Sequence, residues 1–132
     1  MTDKQRVAFL DLIKSFHTAD PIIFHHGDCI GADADAHDIV LSICGTEIHI
    51  HPPTESKYRA CCIGAHLEYR AAPYLQRNHN IVDSTSLMIA TPEGAETLRS
   101  GTWATIRYAL KKKKEVYIID IQGDIYSKTI SA

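Results

Sequence analysis

The stretch Pro21-Ile22-Ile23-Phe24-His25-His26-Gly27-Asp28-Cys29-Ile30-Gly31-Ala32-Asp33-Ala34-Asp35-Ala36-His37 decides the fold. It opens on an apolar run that reads as a buried strand, Pro21 to His26. It ends in a segment where Ala32, Ala36, Ile39, Val40 and Ile43 recur at the spacing of one helix face. Between them is a glycine turn. Glycine lets the backbone come close to a ligand, and the first N–H groups of a helix have no intrahelical partner. A strand, a glycine turn and a helix N-terminus together therefore favour an anion. Any strand-to-helix connection needs a tight turn. The weight comes from a second turn of similar build, Arg99-Ser100-Gly101-Thr102.

Working outward, the pattern before the first strand predicts a helix from Lys4 to Phe16, with Asp3 as its cap. The helix after the turn runs from Gly31 to Ile43 and stops at Gly45. Thr46 to His51 follows as a second strand. Its alternation of Glu47, His49 and His51 with Ile48 and Ile50 predicts a half-exposed edge strand. Thr54 to Ala72 is long for a connection and carries Lys57, Tyr58, Arg59, Tyr69 and Arg70. A helix is expected from Pro73 to Asp83 and a third strand from Ser86 to Thr91. A fourth helix runs from Thr102, its expected cap, to Lys113, and a fourth strand from Glu115 to Ile121. Gly123-Asp124 then turns the chain into a short tail.

This order, α-β-α-β-α-β-α-β, predicts an α/β protein with a mainly parallel sheet covered on both faces. The expected architecture is a single Rossmann-like three-layer domain over residues 1–132, with predicted strands in the order 2-1-3-4. Ligands of such sheets bind at the carboxyl ends of the strands, beside the point where the order reverses. Both glycine turns emerge there.

The composition narrows the class. A chain of 132 residues that is 45% hydrophobic and 23% charged suits one soluble domain. No apolar run is long enough for a membrane helix, and the N-terminus lacks the apolar core of a secretion signal, so a cytoplasmic location is expected and no membrane partner. Cys29, Cys44, Cys61 and Cys62 contain no Cys-x-x-Cys pair, which argues for reduced, independent thiols. A net charge of -2 gives no overall attraction to nucleic acid.

Several residues suit chemistry. Gly27, Asp28, Cys29, Gly31 and Asp33 form the first loop, a phosphate or ribose cradle whose carboxylates also serve as helix caps. Asp28, Asp33 and His37 are the only candidates for an acid or base there; Asp33 and His37 are one helical turn apart. Arg77 can grip a phosphate bidentately and Asn78 can fix a loop or a base. Arg99, Ser100, Gly101 and Thr102 form the second loop. His25, His26, His49 and His51 have no spacing specific for a metal; the reading is of solvent-facing edge histidines and no metal site. Lys111 to Lys114 complement a helix C-terminus.

These residues also carry a resemblance. His26-Gly27-Asp28-Cys29-Ile30-Gly31-Ala32-Asp33, with His37 behind it, resembles the glycine motif of the SLOG superfamily of Rossmann-like nucleotide binders. Arg77-Asn78-His79-Asn80-Ile81-Val82, a strand, and Arg99-Ser100-Gly101-Thr102 look like its second half. The ordered pair is similar to the Rossmann domain of the DNA-processing A (Smf) proteins and to small YspA/YpsA-like members, across residues 21–121. The resemblance implies a pocket for a nucleotide or nucleotide-derived ligand lined by Gly27, Asp28, Gly31, Arg77, Ser100, Gly101 and Thr102. Lonely-guy-type relatives cleave an N-glycosidic bond, but their glutamate three residues after the Gly-Thr pair is Thr105 here, and their Pro-Gly-Gly turn is missing. A binder that senses or sequesters its ligand, without catalysis and without a required cofactor, is the first expectation. A nucleotide hydrolase is the second. The third is a single-stranded nucleic-acid binder using Arg59, Arg70, Arg77 and Arg99 with Tyr58 and Tyr69. Family members often begin with a strand that this chain lacks, which leaves an open sheet edge and leads us to expect a homodimer.

Overall fold

In the computed structural model of the chain, which describes residues 1–16 and 20–129, helix α1 spans Asp3–Ser15. Its cap is Thr2 and not Asp3. The Thr2 hydroxyl accepts the Gln5 N–H at 3.0 Å, and the Gln5 side chain accepts the Thr2 N–H at 2.9 Å. This reciprocal box satisfies two donors that a helix start otherwise leaves free. Asp3 falls in the first turn, where its charge faces the positive end of the helix.

Strand β1 (Ile22–His26) lies parallel to β2 (Thr46–Ile50), with His25 opposite His49 and His26 opposite Ile50. Helix α2 (Ala32–Leu41) connects them. A two-residue strand, β3 (Leu67–Glu68), pairs in parallel with the other side of β2. So β2 is internal to its sheet, which corrects the expectation of an edge. β3 escaped the sequence reading because its two exposed residues have no periodicity.

Helix α3 (Tyr74–Asp83) begins one residue later than expected: Pro73 is its N-cap and not its first residue, and the Pro73 carbonyl accepts the Arg77 N–H at 2.8 Å. The predicted third and fourth strands are β4 (Leu87–Ala90) and β5 (Glu115–Ile119), paired in parallel and joined by helix α4 (Gly101–Lys111). The expected tail is instead a strand, β6 (Ile125–Lys128), antiparallel to β5. Its hairpin is built on Asp120, whose carboxylate accepts the Gln122 and Asp124 N–H groups at 2.9 and 3.0 Å. Gly123 supplies the positive φ of 83°. Residues 130–132 of that tail lie outside the described residues.

The fold is thus mixed α/β, with four helices and two three-stranded sheets, β1-β2-β3 and β4-β5-β6 among the described residues; the first is wholly parallel. β1 and β4 do not hydrogen-bond to each other; a cleft separates them.

Side chains alternate across a strand. Phe24, Ile48 and Ile50 therefore share one face of the first sheet and pack with Phe9, Leu12 and Ile13 of α1 and Val40 of α2. Ile119 of β5 joins the same cluster, so α1 bridges the two sheets. Gln5 ties this bridge with polar bonds: its buried amide donates to the Pro92 and Ile119 carbonyls, each at 3.0 Å. A second core joins Val82, Trp103, Ile106 and Ala109 to Val116 and Ile118.

Candidate functional site

The cleft between β1 and β4 holds about 1580 Å³. Its walls are the two facing strands, residues 21–27 and 84–91. Both glycine turns open into it. The first contributes Gly27, Cys29, Gly31 and Asp33, the second Ser100, Gly101 and Thr102, and α3 adds Arg77 and Asn78. Asp28, His37 and Arg99, also singled out from the sequence, are not among the lining residues.

The first turn is held by its own chain. The Asp28 N–H donates to His26 Nδ1 at 3.0 Å, the Cys29 N–H to Asp33 Oδ2 at 3.1 Å, and the Ile30 N–H to the Tyr58 carbonyl at 2.8 Å. At the Cys29 amide Asp33 thereby fills the acceptor role that an external anion would take, while His26 and the Tyr58 carbonyl fill it at the other two. Burial pushes its carboxyl above the usual range.

Asp28 is fully buried and does not line the cleft. Arg59 Nε donates to one of its oxygens at 2.8 Å and the Cys62 N–H to the other at 2.9 Å. Burial pushes this carboxyl up, but those two donors outweigh it and hold it below the usual range. Arg59 also meets Glu68 at 2.8 Å. Asp28 is therefore the strut that orders the long connection after β2. The sequence reading missed the Arg59 and Cys62 partnership, because nothing in the spacing pairs them with Asp28.

His37 is equally committed. The Asp28 N–H occupies His26 Nδ1, so the proton of the neutral His26 ring is on Nε2 and points at His37 Nδ1, 2.9 Å away. His37 Nε2–H then donates to the Ile63 carbonyl at 2.7 Å. Burial, with His37 beside it, lowers the His26 pKa to about 4. Asp33 and His37 share a helix but bond to different partners.

Cys62 brings its sulfur near this pair: the donor atoms of His26, His37 and Cys62 lie within 4.8 Å of one another. Burial and the adjoining Asp28 push its thiol up to about 12. A cation here would displace the His26 Nε2 proton while Nδ1 already faces an N–H. The ring would have to become an imidazolate. The trio fits a chain of directed hydrogen bonds and not a metal centre.

Arg77 is the cationic side chain among the residues that line the cleft, which also include the carboxylates Asp33 and Glu93. It is 4% exposed. Its Nη1 donates to the Gly27 carbonyl and, at 3.3 Å, to that of His51; Nε donates to Asn78 Oδ1 at 2.8 Å. Nη2 reaches the Cys29 sulfur at 3.5 Å, a basic neighbour for Cys29 that the sequence reading did not find. Among the described residues no carboxylate lies within 4 Å of the guanidinium. Gly27 makes the approach possible, since a Cβ there would meet Arg77 Nη1 at 2.5 Å.

At the second turn the cap is Ser100 and not Thr102. Its hydroxyl accepts the Trp103 N–H at 3.2 Å. Trp103 Nε1 donates to the Gly94 carbonyl at 3.2 Å and pins the preceding loop. Gly101 and Thr102 are exposed, and a Cβ on Gly101 would meet nothing within 4 Å. Thr105 donates to the Gly101 carbonyl at 2.9 Å.

His25, His49 and His51 form a cluster on the sheet face away from α1 and α2, and they do not project singly into solvent as expected. His25 Nδ1 and His51 Nε2 are 2.8 Å apart. Tyr69 stacks on His51 with centroids 4.3 Å apart, and His25 packs edge-on to His49 at 4.9 Å. Burial and the neighbouring His25 lower His51 to about 4; burial and His49 lower His25. The register of β1 on β2 makes this cluster, and no sequence pattern reports that register.

No family model, curated protein or solved structure matches the chain. No helix among the described residues is long and apolar enough to cross a membrane.

Proposed function

We propose that the chain binds a nucleotide or nucleotide-derived anion in the cleft between β1 and β4, without turning it over. The observation that carries this reading is the convergence on one cavity of two glycine turns and a buried arginine that makes no ion pair within 4 Å among the described residues, although Asp33 and Glu93 line the same cavity. A buried guanidinium draws an anion strongly, because burial weakens the competition from water. The anionic end belongs with Arg77 and the α4 N-terminus. Asp33 offers an acceptor for a sugar hydroxyl or a base amine.

Two of the three acid–base candidates favour binding over hydrolysis. Asp28 and His37 have their polar atoms engaged and do not line the cleft. The nucleic-acid reading has less support: Arg59 is paired with Asp28 and Glu68, and Tyr69 is stacked on His51.

The cleft exceeds the roughly 300–1,000 Å³ typical of a small-molecule site. We read the two sheets as halves of one Rossmann-like sheet, with β1 beside β4, that narrows around the ligand. This agrees with the resemblance to the SLOG superfamily.

The test is a thermal-shift screen against mononucleotides, NAD, ADP-ribose, cyclic dinucleotides and short oligonucleotides, on wild type and Gly101→Val. Ligand at about a hundred times its Kd adds roughly 2.7 kcal/mol, several degrees for a domain of this size. The variant is expected to keep the wild-type melting temperature and lose the shift. Recovered ligand of unchanged mass supports binding; a cleaved product overturns it in favour of hydrolysis. No shift with any compound removes the nucleotide reading.

A further inference from the structure

We propose that His25 and His51, with His49 as third ligand, bind a divalent transition cation of the zinc type on the outer face of the first sheet. His25 and His51 already point ring nitrogens at each other across 2.8 Å. In a tetrahedral site with metal–nitrogen bonds of about 2.0–2.1 Å, two such nitrogens stand roughly 3.3 Å apart. A cation replacing the proton they share requires them to part by a few tenths of an ångström and the rings to tilt.

The proton inventory separates this pair from His26 and His37. Among the described residues no hydrogen bond reaches His25 Nε2 or His51 Nδ1. Each ring can therefore keep its proton on the outer nitrogen and offer the inner lone pair. In His26 the outer nitrogen is occupied by the Asp28 N–H, which forbids that arrangement.

His49 is prepared in the same way. Its Nε2 is 2.6 Å from Glu47 Oε2, so the neutral ring donates there and leaves a lone pair on Nδ1, which faces the Tyr69 hydroxyl at 3.1 Å. A carboxylate fixing the far nitrogen of a histidine is the usual orienting contact behind a metal ligand. His49 has to exchange the Tyr69 hydroxyl for the cation, because its donor atom is not yet within 4.8 Å of both others. His25 and His49 face each other in the strand register, and His51 follows two residues on along the same side. Neutral imidazoles select zinc or copper over magnesium or calcium, which take oxygen ligands.

The experiment uses the whole chain, stripped with chelator, titrated calorimetrically with Zn²⁺ and loaded with Co²⁺ for its visible spectrum. One equivalent is expected to bind, with a Co²⁺ spectrum free of thiolate charge transfer. His25→Ala should abolish binding and His49→Ala should weaken it by more than the roughly tenfold loss typical of an orienting partner such as Glu47. Glu47→Gln should weaken it less, and Cys62→Ser should change nothing. His51→Ala belongs to the set only if circular dichroism shows it folded, and the half-buried His25 and His49 carry the test otherwise. The proposal is overturned if folded wild type takes up no Zn²⁺, or if His25→Ala and His49→Ala bind like wild type. A thiolate band that disappears in Cys62→Ser also overturns it, because the cation would then lie at His26, His37 and Cys62.

Discussion

Gly27 has to be glycine because Arg77 passes where its side chain would be. A Cβ at that position meets Nη1 at 2.5 Å and Cζ at 2.7 Å, and the guanidinium is held there by the Gly27 and His51 carbonyls. Gly27→Ala must displace a buried cation from its acceptors. We expect a stability loss of about 1–3 kcal/mol, the usual range for overpacking. Denaturant unfolding checks this, and a wild-type midpoint would show that Arg77 has another place to go. Asp28 gives a second residue-scale test, with a definite sign in pH. Its folded pKa lies below the ordinary carboxylate value, so its charge contributes stability above that value, and the contribution is lost as pH falls through the folded pKa. Asp28→Asn should cost on the order of 2–3 kcal/mol at neutral pH, because Arg59 loses its buried partner. The variant and wild-type melting curves, measured from neutral pH downward, should converge below the ordinary carboxylate range, where wild type has lost the same charge. A constant offset at every pH would show that Asp28 acts through its two accepting oxygens and not through its charge.

At the scale of elements, the sequence exposes what local chemistry determines and hides what register determines. The four helices are visible because each repeats its apolar residues on one stripe, and the structure moves their ends by only a residue or two. Two caps are misplaced by proximity. Thr2 with Gln5 spells a capping box, and Ser100 precedes Gly101, yet the charged or later neighbour draws attention first. β6 was readable in principle: Gly123-Asp124 between two apolar runs is a hairpin signal. β3 was not, since two exposed residues acquire strand geometry only by pairing with His49 and Ile50. The site divides along the same line. Arg77, Asp33 and both turns could be named because glycine, arginine and helix starts mean something locally. The roles of Asp28 and His37 could not, because Arg59, Cys62 and Ile63 reach them across gaps of 26 to 34 residues.

At the scale of the whole molecule, the open edge of β1 decides whether the two sheets work as one. Ile22 N–H bonds to the Gly45 carbonyl, and the His26 carbonyl accepts the His51 N–H, so both residues turn their backbone groups toward β2. Successive residues of a strand alternate, and Ile23 and His25 therefore turn theirs toward the cleft. A strand edge that meets no partner is solvated, and its amides exchange quickly with water. If a bound nucleotide draws β1 against β4, those same amides gain carbonyl partners and slow. Amide exchange by NMR should thus show Ile23 and His25 exchanging fast in the free protein, while Phe24, which faces β2, is protected. With saturating ligand from the thermal screen, Ile23 and His25 should slow at least tenfold, and Phe24 should change little. Slow exchange at Ile23 and His25 before any ligand is added would mean that β1 and β4 are paired from the start and that the ligand enters above a finished sheet. Fast exchange that persists at saturation would mean that the ligand fills the cleft without closing it, with Arg77 and the second turn holding the anion across a permanent gap.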